Sequence, residues 1–185
     1  MAKIGLKNFK FSILDKDDKV TVPESLGKAV SCKVAIDKNE AVLYADDGVA
    51  ESDYSFKKGT VTLEVDEDAD EVFAKLLGHS ISKEAETTGE VIRNADDVAP
   101  YVAIGRILTK IVNGVRKYKV EYLCKVKFKE PDADETTKGE SVEFKTSSIE
   151  GAVVTLASGE WSRTKTFDAY DKAETYLTGL LTAST

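Results

Sequence analysis

The dipeptide Asn113-Gly114 constrains this chain more than any other pair of its residues. It stands between two long runs rich in β-branched and apolar side chains, 101–112 and 115–129. Asn and Gly readily take positive φ, so the pair joins antiparallel strands through a type I′ turn. The second run alternates Tyr118, Val120, Tyr122, Cys124, Val126 and Phe128 against Lys117, Lys119, Glu121, Lys125, Lys127 and Lys129. Successive side chains of a strand point to opposite faces, so this run presents one dry and one largely wet face, with Leu123 as the exception.

The N-terminal segment from Ile4 to Leu14 alternates as well, but its parity switches from even (Ile4, Leu6) to odd (Phe9, Phe11, Ile13) across Lys7 and Asn8. A one-residue slip reverses every side chain, so a bulge or sharp bend is expected there. Residues 29–36 alternate cleanly, 40–45 form a shorter apolar strand, and "GTVTLEVD" sets Val61, Leu63 and Val65 on one face. Further strands are expected at 141–146, 149–156 and 160–167.

The period becomes helical at "DADEVFAKLLGH", where Val72, Phe73, Leu76 and Leu77 share a face. Asp68 is placed to cap this helix, with Glu71 three residues on, and Gly78 is placed to close it. A second helix near 168–182 gathers Ala169, Tyr170, Ala173, Tyr176, Leu177, Leu180 and Leu181 on one side. Long loops are expected near 45–59, near 79–99 with a brief strand at Val91 and Ile92, and near 130–140. About eight strands with two helices that do not alternate with them favour an antiparallel β-sandwich or partial barrel over a parallel α/β sheet. The class is mostly β (α+β), with one flanking helix near 68–78 and a C-terminal helix. At 185 residues, a single domain over 1–185 is expected.

The formal charge of -7 comes from 33 acidic against 26 basic residues, which disfavours a nucleic-acid-binding surface. The basic residues of the N-terminus are scattered among apolar ones, and no apolar run approaches the ~20 residues that span a bilayer. Neither secretion nor a membrane partner is therefore expected. Cys32 and Cys124 each fall on an apolar, alternating face, so two buried free thiols in a reducing cytoplasm are the reading.

Catalytic patterns are missing from the sequence, and the expectation is a protein that is not an enzyme. A triad or a histidine-containing metal site must pass through His79, the only histidine, which lies just beyond the first helix and reads as a group satisfying its terminal carbonyls. No phosphate-cradling glycine loop, HExxH or CxxC spacing is present, so no cofactor is expected. The acidic "DDGVAESD" lacks the alternate oxygens of a calcium loop and reads as a turn at Gly48. The lysine face of 117–129 carries no interleaved aromatic residue and reads as a solvated face paired with acids such as Glu143. The stretch "VAESDYSFKKG" stands out because it places Val49, Tyr54 and Phe56 on what should be a polar loop. Large rigid side chains there favour a protein contact, and the alternative is a loop folded back over its own core.

Taken in order, "MAKIGLKN", "YADDG" (44–48), "LLGH" (76–79), "NADDVAPYVAIG" (94–105), "KFKEP" (127–131) and "TKGESVEF" (137–144) resemble the major tail protein of long, non-contractile-tailed phages of Gram-positive hosts. The resemblance runs over roughly residues 1 to 150, and the terminal helix lies beyond it. It implies a tail tube subunit with a β-sandwich and a flanking helix, six copies to a ring, and rings stacked into a hollow tube through which DNA passes without specific binding. It further implies a virion tail assembled in the host cytoplasm, with tape measure, tail terminator and distal tail proteins as partners and no catalytic residues. Tyr44, Asp46, Asp47, Gly48, Val49, Tyr54 and Phe56 are then the candidate inter-subunit contacts. Head-to-tail contacts of this kind close rings, and a second contact between ring faces builds a filament. The alternative is a carbohydrate-binding or adhesive β-sandwich module, for which Trp161 with Tyr44 would be the aromatic platform.

Overall fold

The computed structural model describes residues 2–39, 41–45, 48–53, 55–65, 70–82, 89–131 and 147–182. In chain order these hold β1 (Ala2–Leu14), β2 (Val20–Ser25), β3 (Ala29–Lys38), β4 (Ala41–Ala45), β5 (Gly48–Asp53), β6 (Phe56–Val65) and α1 (Asp70–Leu77). There follow β7 (Ser80–Ser82), β8 (Glu90–Ile92), β9 (Tyr101–Val112), β10 (Val115–Phe128), β11 (Ser147–Val153), β12 (Ser162–Phe167) and α2 (Tyr170–Leu181). The main sheet is antiparallel and open, in the order β2-β1-β9-β10-β11-β6-β3, with β12 also paired to β10. The class is thus the expected mostly-β one, with two flanking helices.

The Asn113-Gly114 turn joins β9 to β10 at the pair Val112–Val115, with φ of 50° and 79° at its two residues. The parity switch in β1 is a bulge: its register against β9 shifts between Lys7 and Lys10, and Asn8 takes φ 53°. Leu6, Phe9, Phe11 and Ile13 consequently all reach the same core. Without the extra residue, the last three would point the other way.

In β10 one expectation is corrected. Tyr118, Val120, Tyr122 and Cys124 lie against one cluster, but Val126 and Phe128 belong to the other, with Leu123. A register shift against β9 between Leu123 and Val126 reverses the alternation. Leu123, the misfit in the pattern, is therefore the first residue of the second core rather than an isolated exception. This bulge also lets β10 carry two neighbours along one edge, β12 at Tyr118–Leu123 and β11 at Val126–Phe128.

Two cores result, one on each face of β9–β10. The inner one brings β1, β9 and β10 together with β6 and β11 and is closed by Phe73, Leu76 and Leu77 of α1. The outer one forms where Ala173, Leu177 and Leu181 of α2, each fully buried, cover Ala103, Ile107, Val120 and Tyr122. Burying a leucine side chain contributes about 1.5–3 kcal/mol, enough to hold a helix whose N-cap, Ala169, offers no side-chain oxygen.

Helix α1 ends as its sequence predicts. Gly78 takes φ 81°, and the His79 amide donates to the Ala74 carbonyl at 2.8 Å, closing a Schellman-type cap. The proposed cap Asp68 and the strand at 141–146 lie outside the described residues. Most of the expected 130–140 loop does as well. Strand β2, which the alternation does not announce, contains Pro23; a residue without an amide proton is tolerated there because β2 is an edge strand. Within the segment 79–99 the brief strand expected at Val91 and Ile92 is β8, and it pairs with β7, which the sequence did not announce.

Candidate interaction surface

Strands β3 and β6 pair from Ala29–Val65 to Lys38–Phe56. Beyond them the chain continues as a second ladder, from Ala41–Asp53 to Ala45–Gly48, so β4 and β5 form a two-stranded sheet of their own. Asn39 straddles the junction, its backbone amide donating to the Ser55 carbonyl at 2.8 Å and its side-chain amide to the Ser55 hydroxyl at 3.2 Å. The expected loop over 45–59 is thus a hairpin arm running into β6. The ladder of the arm ends at the pair Ala45–Gly48. The alternation of β5 is too polar to announce a strand, because nothing in its composition separates it from a loop. The five residues of β4 span about 17 Å.

Of the candidate contact residues, Tyr44, Gly48 and Val49 come together at the distal end of this arm, where Tyr44 pairs with Val49 after a register shift beyond Leu43. Asp46, Asp47 and Tyr54 lie outside the described residues. Phe56 has a different place: it opens β6, is half-buried and stacks on Trp161 with centroids 4.9 Å apart and planes 10° from parallel. Trp161 itself packs against the inner core. Phe56 is therefore held on the body of its own chain, and Trp161 is engaged by it.

Two edge strands carry exposed valines, Val22 on β2 at 72% and Val30 on β3 at 52% exposure. Strands at a sheet edge present backbone donors and acceptors that a further strand can pair with. Between β3, β10 and β12 lies a cleft of about 520 Å³ lined by Cys32, Val34, Arg106, Glu121, Trp161 and Thr164. Arg106 crosses it to Glu121, with Nε and Nη2 donating to Oε2 at 3.0 and 2.6 Å, while Lys119 bonds the other carboxylate oxygen. Burial would raise the Glu121 carboxyl, but the bonds from Lys119 and Arg106 outweigh it and hold the group below its ordinary value.

Burial pushes both thiols, Cys32 and Cys124, up to about 11, so neither is an ionised nucleophile near neutrality. Cys32 is only half-buried, beside Arg106, whereas Cys124 is enclosed. The lysines along β10 and just past its end, which the bulge divides between the two faces, are matched by acids: Lys117 with Asp168, Lys125 with Asp18 at 2.5 Å, and Lys129 with Glu150 at 2.9 Å. Glu143, the expected partner, lies outside the described residues.

The imidazole of His79 does not serve the helix carbonyls. Its Nδ1 lies 2.7 Å from Asp97 Oδ2 and its Nε2 2.9 Å from Glu130 Oε2. Both carboxylates are distant in sequence, which is why the pattern around His79 gave no sign of them. Among the described residues, no three His, Cys, Asp or Glu side chains are grouped to hold a metal ion, and no helix is long and apolar enough to cross a membrane. In comparisons with known proteins, no family model and no curated protein matches this chain.

Proposed function

We propose that this chain is a structural subunit that assembles with copies of itself, as a tail tube protein of long, non-contractile-tailed phages does. The observation that carries the reading is the β4–β5 arm. A lone two-stranded hairpin is marginally stable in water and gains stability from a third strand or a packing surface. A neighbouring subunit would supply one, with Tyr44, Gly48 and Val49 at the contact. The open edges of the main sheet support the same reading, since edge pairing between copies removes an aggregation hazard. On this proposal, six copies form a ring and rings stack into a tube in the virion tail. Its other partners are the tape measure, terminator and distal tail proteins, and DNA crosses the lumen unbound. The resemblance in the ordered segments from "MAKIGLKN" to "TKGESVEF" points the same way. The glycan-binding alternative rests on a displayed Trp161, and the stack on Phe56 weighs against it.

Negative-stain microscopy with light scattering on the purified chain tests the proposal. Rings or tubes are expected; a species that stays near 20.2 kDa over the whole accessible concentration range, with no polymer in any preparation, would refute it.

A further inference from the structure

His79 is the single histidine, and its side chain is only 8% exposed. Three separate stretches of chain meet at its ring. The histidine follows the cap of α1, Asp97 belongs to the turn before β9, and Glu130 is on the chain leaving β10. Among the described residues, the charged groups facing the ring are those two carboxylates and, behind Glu130, Arg93, whose Nε lies 3.3 Å from Glu130 Oε1. The basic residue of the last helical turn, Lys75, is turned instead to Glu24 at 2.5 Å. Asp97 Oδ2 also accepts from the Asn94 backbone amide at 2.9 Å.

This arrangement suits an imidazolium and not an imidazole. A protonated ring has two N–H groups and gives one to each carboxylate; a neutral ring has one N–H and must present a lone pair to the other acid. The two acids are not equivalent. Asp97 is 14% exposed and fixed by its turn, whereas Glu130 is 53% exposed and has water and Arg93 to turn to. The remaining proton therefore stays on Nδ1, facing Asp97, and Glu130 is the partner released.

We propose that His79 is a protonation-controlled latch that fastens the chain leaving β10 to the end of α1 and lets it go when the ring loses its proton. The stretch it governs begins at Glu130, one residue past Lys129, whose amide the Glu150 carbonyl holds at 2.9 Å, so the latch sets how rigidly the exit from β10 is held at that point. The inference is independent of the tail tube reading, because it concerns contacts within one chain.

Heteronuclear NMR of the full-length chain tests it, since the one histidine gives one ring signal. The expected result is that the Lys129 and Glu130 amides titrate with the same midpoint as the ring, and that the neutral ring is the Nδ1–H tautomer. Glu130→Gln, a half-exposed and conservative change, should lower the ring midpoint and abolish the co-titration while the fold persists. A ring that titrates without those amides, a neutral Nε2–H tautomer, or a midpoint unaltered in Glu130→Gln would each overturn the latch.

Discussion

Leu177 of α2 lies so close over Gly105 of β9 that a Cβ at position 105 would fall 2.1 Å from its Cδ1, with the Cδ1 of Leu181 at 3.4 Å. The glycine is what allows the helix to approach the sheet. Leu177 and Leu181 are both fully buried, so neither can swing aside into water. Gly105→Ala should therefore destabilise the fold by about 1–3 kcal/mol through overpacking. In the background of Leu177→Ala, which alone should remove about 2–5 kcal/mol, the same substitution should be nearly neutral. Urea unfolding of the two single variants and the double variant measures this coupling, and strictly additive effects would contradict the close approach.

Asn8 does two things at the bulge of β1: it occupies φ 53°, and its side-chain amide donates to Glu174 Oε1 on α2 at 2.9 Å. Asn8→Ala loses both and should cost about 2 kcal/mol, from strain of about 1 kcal/mol and a hydrogen bond of similar worth. Asn8→Gly relieves the strain and loses only the bond, so its unfolding midpoint should lie between those of the native chain and Asn8→Ala. An Asn8→Gly variant as unstable as the alanine one would remove the backbone from the explanation.

The stack of Phe56 on Trp161 is readable because Trp161 is the only tryptophan. Phe56→Ala should shift its fluorescence to the red and destabilise the isolated chain by about 1–2 kcal/mol. Tyr44→Ser with Val49→Ser, on the arm, should leave the unfolding midpoint of the monomer in place and weaken assembly instead. Equal effects of both sets on folding would erase the distinction between body and arm.

The pH dependence of stability follows from His79 and its partners. Burial opposes a charge on the ring, but its bonds to Asp97 and Glu130 prevail and raise its pKa on folding. A raised folded-state value means that its contribution is complete below the unfolded value of about 6.5 and is lost as pH climbs through the folded one. Asp97 runs the other way. The Asn94 amide, and then the His79 ring, hold it below its ordinary value, so its contribution exists above about 3.9 and disappears as pH falls through the folded value. Stability should thus peak between these limits, and His79→Gln should flatten the alkaline side in urea titrations while leaving the acid side largely intact.

Much of this architecture was legible along the chain. The Asn113-Gly114 turn, the bulge at Asn8, the cap of α1 at Gly78 and the apolar stripe of α2 are local matters, set by backbone conformational preference and by the spacing of apolar residues within one element. What the tertiary structure decided lies between elements. The second bulge in β10 turned one dry face into two cores, the supposed loop over 45–59 became an arm continuing the β3–β6 pair, and Phe56 went to Trp161 instead of outward. His79 found Asp97 and Glu130, 18 and 51 residues away. Periodicity reports which side of a strand is dry, but only the folded chain determines which surface dries it, because the partner is chosen by packing between segments that share no local sequence.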